Sequence, residues 1–105
     1  MIAVDKETFQ AEVKDTKGYV LVDYWSESCE SCKALMPDVG ALAEKYGEKV
    51  KFTKLDVAKA RRLAIGEQVL GLPTIVLYKD GQKVEEVTKD NATIANIEAM
   101  IQKAL

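Results

Sequence analysis

The chain has 105 residues, 48% hydrophobic and 30% charged, with a formal net charge of −2. That length is expected to hold one domain, residues 1–105, around one core, and the apolar content excludes a disordered chain. Charges of both signs are interspersed, with no basic stripe for nucleic acid and no polybasic membrane anchor, so neither is an expected partner.

The opening residues MIAVDKETF carry charge from Asp5 onward and lack an apolar signal region. No later run approaches the roughly 20 apolar residues of a membrane-spanning helix. The expected location is the cytoplasm. Ile2–Val4 reads as a short edge strand, and Asp5 as the N-cap of a helix over residues 6–15 with Phe9 and Val13 facing inward. Tyr19–Trp25 is almost continuously apolar, the pattern of a central strand covered on both faces. Next comes an amphipathic helix whose inward stripe is Cys32, Leu35, Met36, Val39, Leu42, Ala43 and Tyr46. Pro37 lies inside it and predicts a kink. Val50–Val57 reads as a strand and Ala58–Gly66 as a short helix. Thr74–Tyr78 and Lys83–Thr88 flank Lys79-Asp80-Gly81-Gln82, where Asp-Gly marks a tight hairpin. A closing helix over Ala92–Ala104 is expected to bury Ile94, Ile97, Ile101 and Leu105. The order βαβαβαββα implies an α/β fold: a mixed sheet with helices on both faces.

Both cysteines of the chain, Cys29 and Cys32, lie where the central strand runs into the amphipathic helix. A spacing of three places them about one helical turn apart, within a modest adjustment of disulfide geometry. Cys32 heads the buried stripe. Cys29 falls at the helix N-terminus, where free N–H groups and the helix dipole favour a thiolate. Cys29 is therefore the expected nucleophile and Cys32 the resolving thiol. Two other readings compete: an inert buried pair, and half of a metal site completed by a second subunit. The chain has no histidine and no third cysteine, so the metal reading needs a dimer or outside thiols.

Asp23 interrupts the apolar strand on the face of Leu21 and Trp25. Burial there raises a carboxyl pKa, which suits a proton acceptor and donor for Cys32. The alternative is an ion pair with Lys54, on the Val50/Phe52 face of the next core strand. The two are compatible. In Gly71-Leu72-Pro73-Thr74, the proline is either a plain strand start or a cis residue that presents backbone to a bound peptide.

The blocks V-D-Y-W-x-x-x-C-x-x-C-K-x-x-x-P, K-L-D-V, G-L-P-T and the K-D-G turn, with the spacing between them, resemble the bacterial thioredoxin family over essentially the whole chain. The resemblance implies a thioredoxin fold with a five-stranded mixed β-sheet flanked by four α-helices. It implies a nucleophilic Cys29, a resolving Cys32, a buried Asp23 paired with Lys54, and a cis peptide at Leu72–Pro73 that binds substrate backbone. It also implies protein-disulfide reduction, electrons from a thioredoxin reductase, disulfide-containing protein targets, a monomer, and no cofactor beyond the redox-active disulfide.

This chain departs from the family pattern on the expected contact face, which comprises Trp25, Ser28, Glu30, Ser31, Gly71, Leu72, Pro73 and Lys89. Glu30-Ser31 replaces the usual Gly-Pro between the cysteines, Ser28 the usual Trp, and Lys89 a usual Gly. The expectation is an altered partner set, with basic or polar rims able to pair Glu30. Loss of the proline's rigidity is worth about 0.4–1 kcal/mol, whereas about 1.4 kcal/mol corresponds to 30 mV in a two-electron couple. A strong oxidant lies about 150 mV away, so a reducing or intermediate poise is favoured over an oxidase or isomerase. The remaining alternatives are a thioredoxin-fold binding subunit and a dimeric metal or Fe–S carrier.

Overall fold

In a computed structural model describing residues 1–105, the strands are β1 (Ile2–Val4), β2 (Tyr19–Trp25), β3 (Val50–Asp56), β4 (Thr74–Lys79) and β5 (Gln82–Thr88). They form one sheet in the order β1-β3-β2-β4-β5. β1 and β2 both run parallel to β3, whereas β4 runs antiparallel to β2 and to β5. The α-helices are α1 (Glu30–Tyr46), α2 (Arg61–Gly66) and α3 (Ile94–Ala104). A fourth helix, Gln10–Lys14, precedes β2. The expected five-stranded mixed sheet with four flanking helices is therefore the observed fold.

The N-terminal helix corrects one expectation. Asp5 does cap a helical turn, with Oδ1 accepting from the N–H groups of Glu7 and Thr8 at 2.9 Å each. The regular part is nevertheless confined to Gln10–Lys14 and is wide, closed by an i→i+5 bond from Asp15 N–H to Gln10 C=O at 2.8 Å. The Thr16 hydroxyl donates to the Glu12 carbonyl at 2.8 Å and ends it. The segment expected as one helix over 58–66 is likewise divided. A single tight turn at Val57–Lys59 is separated from α2 by Ala60, at φ −148° and ψ 50°. α1 is continuous through Pro37, whose missing N–H leaves the Lys33 carbonyl without its helical donor.

β2 is central because its β-branched and aromatic residues fill both faces. Val20, Val22 and Tyr24 pack with Phe9, Val13, Ala64, Val76 and Tyr78 on one side. Leu21 packs with Val39, Leu42, Ile75, Ile97 and Ile101 on the other. Each fully buried side chain of this kind stabilises the fold by roughly 1.5–3 kcal/mol. α3 starts at Ile94 because Thr93 caps it, accepting from Asn96 N–H at 3.1 Å. Met100 is buried on its inner face, whereas Leu105, expected inside, is 49% exposed because the helix ends before it.

The hairpin has Asp80 at φ +53° and Gly81 at φ +82°, the pair of left-handed residues that a two-residue turn needs to match strand twist. Asp80 Oδ1 accepts from Gly18 N–H at 2.7 Å. A side chain at Gly81 would run into the carbonyl of Lys14. These contacts lock one pole of the sheet and leave the other, at the end of β2, for chemistry.

Candidate active site

β2 delivers the chain into a short turn, Ser26–Ser28, and then into α1. Cys29 is the N-cap of α1, in extended backbone (φ −97°, ψ 100°), and its N–H donates to the Ser26 carbonyl at 3.1 Å. The expected pairing is present: Cys29 and Cys32 form a disulfide, with Cα atoms 5.2 Å apart. Their environments differ as the sequence predicts. Cys32 is 1% exposed, whereas Cys29 is partly open to solvent. The N–H of Cys32 points at Cys29 Sγ over 3.2 Å, so a helix-terminal donor already addresses the outer sulfur. The Ser31 hydroxyl lies 3.6 Å from the same sulfur.

Asp23 lies in β2 on the face shared with Leu21, opposite Ile75 of β4 and Lys54 of β3. It is 1% exposed and neither carboxylate oxygen has a hydrogen-bond partner. Burial pushes its carboxyl up to about 7, with the Lys54 ammonium pulling the other way. The two side chains are neighbours in register, but the expected ion pair is not formed. Lys54 is half-buried and carries its ammonium 6.0 Å from the Trp25 ring centroid instead. A long stem with a hydrated head favours that outward path.

At the adjoining loop, the Leu72–Pro73 peptide is cis. Thr74 Oγ1 donates to the Gly71 carbonyl at 2.6 Å, and Lys89 N–H donates to the Pro73 carbonyl at 2.7 Å. The N–H and C=O of Leu72 between them make no hydrogen bond within the chain. Lys89 sits at φ +55°, and its side-chain stem lies against Gly71, filling the space a Cβ there would need. Ser28 and Glu30 are exposed. Ser28 lies 3.2 Å from the hydroxyl of buried Ser26, and Glu30 is paired at 3.3 Å with Lys33 one turn along α1.

Sequence reasoning missed several supporting groups. Ser26 and Thr74 hold the two loops; Thr74 stood in the quoted G-L-P-T block, where its hydroxyl was a readable signal. A buried chain from Tyr24 OH to Tyr78 OH (2.7 Å) to Glu67 Oε1 (2.7 Å) anchors the segment that leads into Gly71. Nothing in the one-dimensional pattern brings those three together. No cluster of three or more His, Cys, Asp or Glu side chains stands at metal-binding distance.

Comparisons with known proteins agree with this geometry. The thioredoxin family model matches residues 1–103. The chain is 64% identical to a thioredoxin of Acetoanaerobium sticklandii over 103 residues, covering 98% of each chain. It is 63% identical to one of Peptoclostridium acidaminophilum, covering 98% of this chain and 94% of that one. Thioredoxin C-2 of Corynebacterium nephridii is 38% identical over 80 residues, or 76% of this chain and 74% of its own. With a disulfide-bonded C-x-x-C at the head of α1 and a sheet of matching topology, the chain belongs to the thioredoxin family and is a thiol–disulfide oxidoreductase.

Proposed function

We propose that this oxidoreductase reduces protein disulfides with Cys29 as the attacking sulfur and Cys32 as the resolving one. The observation that carries the assignment is the Cys32 N–H directed at Cys29 Sγ, while Cys32 itself is buried. The Cys29 thiolate attacks one sulfur of the target disulfide, forming a mixed disulfide and releasing the other sulfur as a thiolate, which takes a proton from water. Cys32 gives its proton to Asp23 and attacks Cys29 Sγ. This breaks the mixed disulfide, frees the target's second thiolate and leaves the Cys29–Cys32 bond. Two electrons have moved to the target.

Asp23 suits the proton step because a carboxyl titrating at about 7 holds and yields a proton near neutrality. Lys54 tunes it through charge rather than contact. Leu72 offers its free N–H and C=O to an extended segment of the target, beside Gly71 and Pro73, with Trp25, Ser28, Glu30, Ser31 and Lys89 forming the surrounding face. A thioredoxin reductase returns the electrons by the same exchange run in reverse. Residues 1–105 act as one domain and as a monomer in the cytoplasm, with no cofactor beyond the disulfide. The test is limiting iodoacetamide alkylation of the reduced protein with peptide mapping. Cys29 is alkylated first; preferential labelling of Cys32 overturns the assignment.

A further inference from the structure

Beside the Leu72 loop lies a groove of about 260 Å³, formed between α2 and the chain leading into Gly71. Its walls include Ala64, Ile65, Leu70 and Leu72, with Arg61 at its border. Two of these apolar side chains are unusually open for their type: Leu70 is 83% exposed and Ile65 64% exposed. The charges around it are one-sided. Arg61 lines the groove, and the Lys89 stem lies on Gly71, which lines it too. Neither cation has a carboxylate partner, whereas Glu30, the acidic residue between the cysteines, already has Lys33.

The surface is therefore an apolar slot with unpaired positive groups, continuous with the backbone edge at Leu72. We infer that this groove takes an apolar side chain of the target segment that flanks the reactive disulfide, with neighbouring acidic residues of that segment pairing Arg61 and Lys89. This rests on the exchange reading above and adds the chemistry of the partner. It reverses the expectation of a basic rim seeking Glu30. An aliphatic residue at the slot removes Leu70 and Ile65 from water, and a carboxylate on either side meets a cation that is otherwise unpaired. A basic segment meets like charge at the same places and is rejected.

The experiment uses the whole reduced protein and four probes. Three are synthetic peptides with one intramolecular disulfide flanked by Glu-Leu-Glu, Lys-Leu-Lys or Glu-Ser-Glu; the fourth is the neutral bis(2-hydroxyethyl) disulfide. At low salt, kcat/KM for the Glu-Leu-Glu peptide should exceed that for Lys-Leu-Lys by about tenfold, or about 1.4 kcal/mol. The ratio should shrink at about 1 M salt, where charges are screened within about 3 Å. Glu-Ser-Glu should fall several-fold below Glu-Leu-Glu. The double variant Arg61→Glu, Lys89→Glu should invert the acidic-to-basic ratio, a comparison internal to that variant. Equal rates for the three peptides in the wild type, or a ratio untouched by charge reversal, overturn the inference while leaving the exchange reading intact. Failure of the wild type to reduce the neutral disulfide overturns both. Sedimentation of the wild type and Leu70→Glu decides the rival occupant: a concentration-dependent dimer abolished by Leu70→Glu gives the groove to a second copy of this chain and overturns the inference.

Discussion

Replacing Asp23 by Asn removes one titrating group at nearly constant shape, in a place where the carboxylate oxygens have no partner to lose. In the unfolded chain this carboxyl titrates near 3.8, and in the folded protein burial holds it at about 7. Between those values the unfolded state has already released the proton that the native state keeps. The unfolded state binds fewer protons there, so native stability falls as pH rises through the window and levels off above it. A difference of about three pKa values, at about 1.36 kcal/mol each, makes the charge at Asp23 cost about 4 kcal/mol above pH 7. Below about pH 4 the cost vanishes. Denaturant unfolding of the oxidised wild type and Asp23→Asn at about pH 4 and pH 8 checks this. The variant's stability relative to wild type should grow by about 4 kcal/mol between the two, because any pH-independent difference between Asn and a protonated Asp cancels. Growth below about 1 kcal/mol, or growth in favour of the wild type, would refute the reasoning.

The same variant should release targets from the mixed disulfide more slowly near neutral pH, measured by quenched-flow trapping of the Cys29 adduct; an unchanged rate removes Asp23 from the proton step. Tyr78→Phe leaves Tyr24 OH and Glu67 each short of a partner and should cost about 1–3 kcal/mol in urea denaturation. Gly81→Ala puts a methyl group against the Lys14 carbonyl at φ +82°, and should lose more than about 1 kcal/mol for the left-handed backbone alone. Gln68 sits at φ +63°, so Gln68→Gly should gain up to about 1.6 kcal/mol. Relief of about 1–2 kcal/mol is partly offset by a freer unfolded chain, at about 0.4–1 kcal/mol; both are read from shifts in the unfolding midpoint.

Where a residue's environment follows from strand or helix period, the sequence was a good guide. β1 and β2 span the residues expected of them, β2 from its nearly continuous apolar run, and the split between a partly open Cys29 and a buried Cys32 follows from the helical stripe. Asp23 stood out because a carboxylate in an apolar strand contradicts its neighbours. The features that were not legible depend on paths a side chain takes after leaving the backbone. Lys54 occupies the register position opposite Asp23 yet runs out to Trp25. Glu30 is paired with Lys33, a partner that helical spacing could have suggested. The break at Ala60 and the wide turn at Gln10–Lys14 run against local propensity, because the Ala, Glu and Lys residues there favour a regular helix. Lys89 at positive φ gives a physical reason for the family's usual glycine at that position.

The sheet's margins bear on how long a partner stays. β1 is three residues long, and β5 carries the Lys83–Glu86 pair along its length, with Glu85 tied to Lys103. Short and charged edges of this kind resist strand addition. The N–H and C=O of Leu72 are free main-chain groups beside the active site. Two such hydrogen bonds, at a net ~1 kcal/mol each, hold a target only about thirtyfold better than none. On the proposed exchange, residence is thus governed by the covalent intermediate and ends when Cys32 attacks. On the same proposal, so slight a grip lets a target leave as soon as the covalent bond is broken.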